Sequence, residues 1–501
     1  MINKEKINFF KNMEKIGLAL TFDDVRLKTK YTDVRPVDVC LDTKFSKHVS
    51  LKMPIVSAAM DSVTEYEMAI EMAKMGGIGI IHRNLSPKEQ AEQVAKVKAY
   101  HAAYIPEPVC VYEDETMDSV FKKRKENNFF FHTFPVLSRD NKLEGMLYKE
   151  NFEFCNDYSL LVKNVMTKNV VTAKKGISLQ SVYDIMQKNK QKVLPIVDEQ
   201  RKLCGMYLYN DVKRILSDFS TMYNLDKKGR LIVGAAIGVL NDAFERLDLL
   251  MKEEVDVVVM DTAHADSKIV IDTLKQIKKK YKIDVVVGNI TEASSAKRLI
   301  EAGADGIKVG QGPGSACTTR IVAGVGCPQV TAIFNCAQVA AKYNVPICAD
   351  GGIKYSGDLP IAIGAGANSI MVGNILAGTK ETPGDTFFFE GRLWKTYRGM
   401  DSLGAIQKNR TAKLRFIMNE EEVKAVPEGV EGQIPYKGPV KDILFQYIGG
   451  LRYGMGYTGS KTIKELQEKA TFHRISPAGL SESHPHKLYI TKDAPNYAPQ
   501  L

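Results

Sequence analysis

Between Gly310 and Arg320 the chain reads Gly-Gln-Gly-Pro-Gly-Ser-Ala-Cys-Thr-Thr-Arg, which sets one thiol, Cys317, on a glycine-rich loop just after the apolar run Gly306-Ile-Lys-Val309. Three glycines and a proline let the backbone turn sharply and offer N–H groups to an anion or a cofactor. A cysteine held there can be exposed and partly ionised, as a nucleophilic thiol must be. A tight turn around an inert cysteine uses the same residue types, so the neighbours decide. Two more glycine turns, Asp350-Gly351-Gly352 and Val372-Gly373-Asn374, also follow short apolar runs. Small residues at such turns let backbone amides reach a phosphate. Tyr397, in Tyr-Arg-Gly-Met-Asp401, can add a hydroxyl donor, and Asp350 can hold a ribose through its hydroxyls. The chemistry these residues suit is covalent catalysis on a phosphorylated nucleoside.

Elements must bring them together. Short β-like runs, each followed by a helix-like segment, begin at Pro54, Gly77, Leu231, Val255, Val285, Gly306, Pro346 and Ser369. Most later spacings are about 20–30 residues, the size of one βα unit. About eight such units with non-alternating apolar strands predict an α/β fold of the (β/α)8 TIM-barrel type. Cys317, Asp350 and Gly373 then fall just after strand ends, where barrels carry their chemistry. The rhythm breaks over about 108–222, which holds two similar halves. One runs from Pro108-Val-Cys-Val111 to Gly145-Met-Leu-Tyr148, the other from Val165–Thr172 to Gly205–Asp211. Each is expected to open on a strand, continue through a helix and an apolar strand, and close on a Gly-Met strand. The predicted organisation is therefore barrel (1–107), insert (108–222) and barrel (223–501). A polar stretch of about 402–438 is too long for an ordinary connection and is expected to be an irregular lid.

With 44% hydrophobic residues in 501, the chain can bury a large core. Its eight cysteines stand singly with no C-x-x-C pair, which argues against zinc or disulfide frameworks and fits a reducing compartment. No run is long and apolar enough for a membrane span, and the N-terminus is polar, so a soluble, cytoplasmic protein is expected. The formal charge of +10 favours anionic ligands. Its dispersal gives nucleic-acid binding no support beyond what phosphate-bearing small molecules explain.

Long ordered motifs, Leu20–Val25, Ser57–Asp61, Gly310–Arg320, Ala349–Asp358, Tyr397–Met400, Val426–Gly432, Gly454–Tyr457 and Glu482–Tyr497, resemble the inosine-5′-monophosphate dehydrogenase family over almost the whole chain. The inserted pair resembles a tandem CBS (Bateman) module, which implies ATP or GTP as regulators. The resemblance implies an NAD-dependent oxidation of IMP to XMP through a cysteine thioimidate. It makes Cys317 the nucleophile, Thr319 and Glu428 a proton relay, and Arg415 the hydrolytic base. Gly399, Met400, Asp401 and Glu428 would meet the purine. Ser315, Asp350, Gly351, Gly352, Gly373, Asn374 and Tyr397 would hold the ribose phosphate. Asp261, Asn289, Gly310 and Gly312 would face NAD. Potassium (K+) would rest on the carbonyls of Gly312, Gly314 and Cys317, with Glu482, Ser483 and His484 of the partner subunit completing the site. That division implies a homotetramer or octamer.

The chain departs from the family pattern at the lid, where Leu414-Arg415-Phe416 stands in place of an Arg-Tyr pair, so Arg415 is shifted by one and lacks its tyrosine. Asp401 stands at a glycine and Asn374 at a serine. The altered lid keeps a second branch open. GMP reductase shares the barrel, Cys317, Thr319 and Glu428, needs no hydrolytic arginine, and uses NADPH to convert GMP to IMP and ammonia.

Overall fold

Eight buried strands lie parallel and close on themselves. In chain order they are β1 (Ile55–Ser57), β2 (Ile78–Ile81), β3 (Gly234–Ile237), β4 (Val257–Asp261), β5 (Asp284–Ile290), β6 (Gly306–Val309), β7 (Ile347–Asp350) and β8 (Ser369–Val372). Pairing runs β3-β4-β5-β6-β7-β8-β1-β2 and returns to β3. The expected barrel is therefore present, with its strands at the expected runs. Parallel strands covered on both faces read as continuous apolar stretches, and these do. The strand residues that are not fully buried are Asn289 and Asp350, both toward the carboxyl ends.

The structure is a computed structural model that describes residues 3–100, 104–105, 107–127, 129, 131–217, 222–408, 426–492 and 494–497. The outer layer comprises α1 (Tyr66–Lys74), α2 (Pro87–Tyr100), α3 (Leu240–Leu250), α4 (Lys268–Lys280), α5 (Ala293–Glu301), α6 (Gln329–Ala340), α7 (Asp358–Ala365) and α8 (Val440–Tyr457). The sequence of α4 shows why such segments are helical. Ser267 caps the first turn by accepting from Val270 N, and Val270, Leu274 and Ile277 bury one stripe. Lys278 to Lys280 then place positive charge against the last carbonyls. Among the described residues no helix is long and apolar enough to cross a membrane.

The chain divides into two compact units, Met1–Tyr100 with Met222–Leu501, and His101–Thr221. The second unit interrupts the barrel without opening it, because β2 and β3 pair directly through Gly234↔Ile80 and Ala235↔Ile81. Within that unit, one sheet holds Val111–Tyr112, Phe134–Leu137 and Leu143–Leu147. The other holds Ala173–Lys174, Val193–Val197, Leu203–Leu208 and, from the start of the unit, Tyr104–Ile105. Both hairpins carry a register shift at the matching place, Val136/Leu137 and Ile196/Val197. The opening strand expected over Val165–Thr172 is not formed. Val162–Val165 is a helical turn, and Thr167 exchanges two backbone bonds with Met146 of the first half. Only Ala173–Lys174 remains to pair with the second half's own sheet.

The lid is also more regular than its composition suggests. Beyond the barrel a three-stranded sheet forms from β9 (Phe387–Phe389), β10 (Arg392–Arg398) and β11 (Glu431–Pro435). β11 and the short helix Leu403–Lys408 both fall inside the stretch expected to be irregular. Pairing of Arg398↔Glu431 through Trp394↔Pro435 overrides the poor strand propensity of Glu, Gly and Pro.

Candidate active site

The carboxyl ends of β4 to β8 surround a cleft lined by Asp261, Asn289, Lys308, Cys317, Asp350 and Tyr397, among others. The loop that carries the thiol is fixed by close packing. At Gly310, with φ +144°, an added Cβ would come within 2.2 Å of the Asp350 carbonyl oxygen. At Gly312, with φ +75°, it would lie 2.5 Å from Arg320 Cγ. Arg320 fills the inside of the loop, donating from Nε to Gln311 O at 2.8 Å and from Nη2 to Cys327 O at 2.5 Å. Burial lowers the pKa of this guanidinium.

Cys317 sits half-buried at the head of a short hydrogen-bonded string. Its Sγ is 3.1 Å from Thr319 Oγ1, which donates to Glu428 Oε2 at 2.8 Å. The backbone sets this geometry. Thr318 N–H donates to Glu428 O at 2.8 Å, Val430 N–H to Ala316 O at 3.0 Å, and Cys317 bridges Gly429. Gly399 completes the seam, since its N–H donates to Val430 O at 3.0 Å and an added Cβ would lie 2.7 Å from Ala316 O. Glu428 N–H in turn donates to the carbonyl of Asp401 at 3.1 Å. Residues far apart in the chain thus form one wall.

The floor is built differently. Lys308, 3% exposed inside β6, extends its Nζ to Asp350 Oδ2 at 2.5 Å and Asp261 Oδ1 at 3.3 Å, and also contacts Asn289 Oδ1. Asn289 Nδ2 donates to Gly310 O at 2.6 Å and to Asp350 Oδ2 at 3.0 Å. One ammonium thus lies between two carboxylates. Lys308 was not among the candidates drawn from the sequence, although a charged residue in an apolar strand is a signal of such a partner. Asn289 and Asp350, picked as ligand contacts, spend part of their hydrogen-bonding capacity on it.

At the other edge Ser315 Oγ and Tyr397 OH are 3.3 Å apart, and burial pushes the Tyr397 phenol up. Gly373 adjoins them: an added Cβ would lie 3.5 Å from Tyr397 OH. Gly351 and Gly352, with φ +88° and +86°, pack against Pro313. Met400 accepts from the Asp61 N–H through its sulfur at 3.4 Å. Arg398 Nε and Nη2 clasp Asp61 at 3.1 and 2.5 Å. Burial opposes ionisation of Asp61, but Arg398 and Asn84 outweigh it and hold the carboxyl below the usual range.

Three candidates lie away from this cleft within the chain. His484 meets Tyr355 and Tyr497, and Glu482 and Ser483 end the helix Pro477–Glu482 beside it. Arg415, with Leu414 and Phe416, lies outside the described residues.

A family model described as the IMP dehydrogenase / GMP reductase domain matches residues 19–486. The chain belongs to that family. It is 48% identical to inosine-5′-monophosphate dehydrogenase of Halalkalibacterium halodurans, across 96% of this chain and 98% of that one. The Aquifex aeolicus inosine-5′-monophosphate dehydrogenase is also 48% identical, across 97% and 98%. Among solved structures, a cysteine-to-alanine variant of GMP reductase from Trypanosoma brucei, bound to guanosine 5′-monophosphate, matches with a TM-score of 0.83. It is 38% identical, covering 95% of this chain and all of that chain. Both branches of the family are thus represented among the relatives.

Proposed function

We propose that this protein oxidises IMP to XMP with NAD as the hydride acceptor. The observation that carries the proposal is the string Cys317 Sγ, Thr319 Oγ1, Glu428 Oε2, facing a cleft edged by glycine turns. The 48% identical relatives named inosine-5′-monophosphate dehydrogenase support the choice of reaction.

The Cys317 thiol gives up its proton through Thr319 to Glu428, and the thiolate forms a bond to C2 of the purine. NAD, when bound, would supply the acceptor for the hydride that must leave C2. The C2–S bond of the resulting thioimidate breaks when water adds at C2, which returns the thiolate and frees XMP. In sum, IMP, NAD and water give XMP, NADH and a proton. Arg415 is the proposed base for the water step. Ser315, Tyr397 and the turns at Gly351-Gly352 and Gly373-Asn374 hold the phosphate. Gly399, Met400 and Asp401 line the purine. Asp350 takes the IMP ribose, with Asp261, Asn289, Gly310 and Gly312 toward NAD.

Potassium suits the loop in part. Carbonyl oxygens hold such an ion without adding charge. The Gly314 carbonyl already accepts the Cys317 N–H at 3.0 Å and keeps one lone pair for an ion. Gly312, Gly314 and Cys317 would supply half of a coordination shell, and Glu482, Ser483 and His484 of the partner subunit the rest. This is the ground for proposing a homotetramer or octamer. The inserted unit, read as a CBS pair, would bind ATP or GTP, with Asp211 at a ribose in its second half.

The GMP reductase reading is kept alive by the Trypanosoma brucei structure. One experiment decides between them. With IMP, NAD and potassium, absorbance of the reduced nicotinamide is expected to grow. Consumption of NADPH with GMP, and no growth with IMP, would overturn the dehydrogenase reading.

A further inference from the structure

The lid arm that brings Glu428 to the thiol attaches to the barrel a second time, farther along, at Lys437. The Lys437 N–H donates to Gly378 O at 2.8 Å, and Gly438 O accepts from Lys380 N–H at 2.8 Å. The side chain then turns inward, with Nζ 3.0 Å from the carbonyl oxygen of Asn374 and 3.2 Å from that of Ile375. Among the described residues no carboxylate pairs with this ammonium.

The peptide group joining Asn374 to Ile375 is planar, and in a trans peptide the N–H points away from the C=O. Holding the Asn374 carbonyl on Lys437 therefore aims the Ile375 N–H in the opposite direction. The next peptide is held in the same way, and its N–H, that of Leu376, is taken up by Gly373 O at 3.0 Å. Among the described residues no acceptor meets the N–H groups of Gly373, Asn374 or Ile375, although Ile375 is only 6% exposed. Gly373 is half-buried and Asn374 exposed, but a buried N–H such as that of Ile375 is rarely left without a partner, so the turn offers it to an acceptor from outside the chain. The turn borders Tyr397 OH, on the edge of the cleft where Ser315 also stands.

We propose that Lys437 is a positioning residue for the nucleotide phosphate, gripping the Gly373–Ile375 turn from behind so that its unused N–H groups face the phosphate oxygens. This inference rests on the nucleotide reading of the cleft given above.

Burial lowers the pKa of Lys437 to about 8. The charged groups on the elements packed against it are directed elsewhere. Glu381 Oε2 accepts from Val440 N–H at 2.8 Å, Lys395 Nζ donates to Lys380 O at 3.3 Å and Thr382 O at 2.6 Å, and Lys380 itself is exposed. The ammonium is present below pH 8 and lost above it, so the grip weakens as pH rises.

The test is calorimetric binding of IMP and of inosine, which lacks the phosphate, to the full chain carrying Cys317→Ala to remove the thiol's titration. The Kd for IMP is expected to hold steady to about pH 7.5 and rise roughly tenfold by pH 9.5. With Lys437→Arg added, the rise should vanish, because arginine stays charged. With Lys437→Met, binding should be about tenfold weaker at neutral pH and show no such rise. In the enzyme with its thiol, Lys437→Met should raise KM for IMP while kcat stays within about threefold. Inosine should bind alike in all variants. The proposal is overturned if Lys437→Arg shows the same alkaline rise, if Lys437→Met binds IMP as tightly as its parent, or if inosine weakens in step with IMP. Should Lys437→Met fail to fold, the arginine variant's pH profile decides. Should the parent bind none of IMP, XMP and GMP, the nucleotide reading falls and this inference with it. If the parent binds them and Lys437 does not matter, only this inference falls.

Discussion

The wall and the floor of the cleft use similar residue types for opposite ends. On the wall, a thiol, a hydroxyl and a carboxylate stand in line, partly open to solvent, with each side chain making one short contact to the next. On the floor, Lys308 is closed in between Asp261 and Asp350, and Asn289 donates to Asp350 and accepts from Lys308. Charge on the wall is free to move, since a proton can pass along hydroxyl and carboxylate. Charge on the floor is compensated and buried, and moving a proton there would strand an ion. On the proposed reading the contrast separates reaction from support: the string would carry the proton, while the ammonium bridges two carboxylates beneath the cleft.

Breaking the wall at its head should have the largest effect. Cys317→Ser is expected to lower turnover by on the order of 10⁴-fold or more while IMP still binds within a few-fold of wild type. Calorimetry and nicotinamide absorbance check the two halves of that statement. Substantial turnover in the serine variant would remove Cys317 from the role of nucleophile. Loss of binding as large as the loss of rate would erase the distinction between wall and floor.

Breaking the floor should cost stability first. Lys308→Met leaves buried Asp261 and half-buried Asp350 without their shared cation, and removing one partner of a buried ion pair costs about 3–5 kcal/mol. Chemical denaturation should show that loss, with weaker binding of both nucleotides. Lys308→Arg is not expected to restore it, because a guanidinium fork does not fit where one nitrogen meets Asp261, Asn289 and Asp350 together. Unchanged stability in Lys308→Met would show that the floor is not held by charge.

Thr319→Val tests the wall at its middle. The substitution keeps the shape and removes the hydroxyl between Cys317 and Glu428, so a loss of about 10²-fold in kcat is expected, with stability little changed. Thr319→Ser should recover most of it. Equal rates in the valine variant and wild type would mean that the thiol loses its proton by another path.

The sequence carried unequal amounts of this. The barrel was legible because parallel strands buried on both faces leave unbroken apolar runs, and every one of the eight stands where its run lies. The thiol loop and the turn at Gly351 were legible because their backbone geometry demands small residues, and the turn at Gly373 because Met60 and Tyr397 crowd it. The partners were not. Nothing local to Gly306-Ile-Lys-Val309 says that its lysine meets Asp261 and Asp350, since those contacts exist only once β4 to β7 have paired in order. β11 was hidden for a similar reason: Glu, Gly and Pro look like loop until β10 pairs with them. The strand expected at Val165–Thr172 failed because Thr167 is spent on Met146, a tertiary choice that local propensity cannot foresee.

The smallest effect comes from a second cysteine of the same region. Cys327 also follows the glycine-rich loop, and its backbone carbonyl accepts from the Arg320 that fills the loop. Its thiol, however, is pushed up by burial, and Glu292 adds to the shift against a weaker pull from Arg320. Burial also drives Cys348, inside β7, up to about 12. A thiol that stays protonated neither attacks a purine nor alkylates readily. Cys327→Ser should therefore leave kcat and KM within about twofold of wild type. Brief iodoacetamide treatment, read by peptide mass, should label Cys317 ahead of Cys327, and IMP should protect Cys317 alone. Faster labelling of Cys327, or a large loss of activity in its serine variant, would show that the loop holds two reactive thiols and that the wall extends past Glu428.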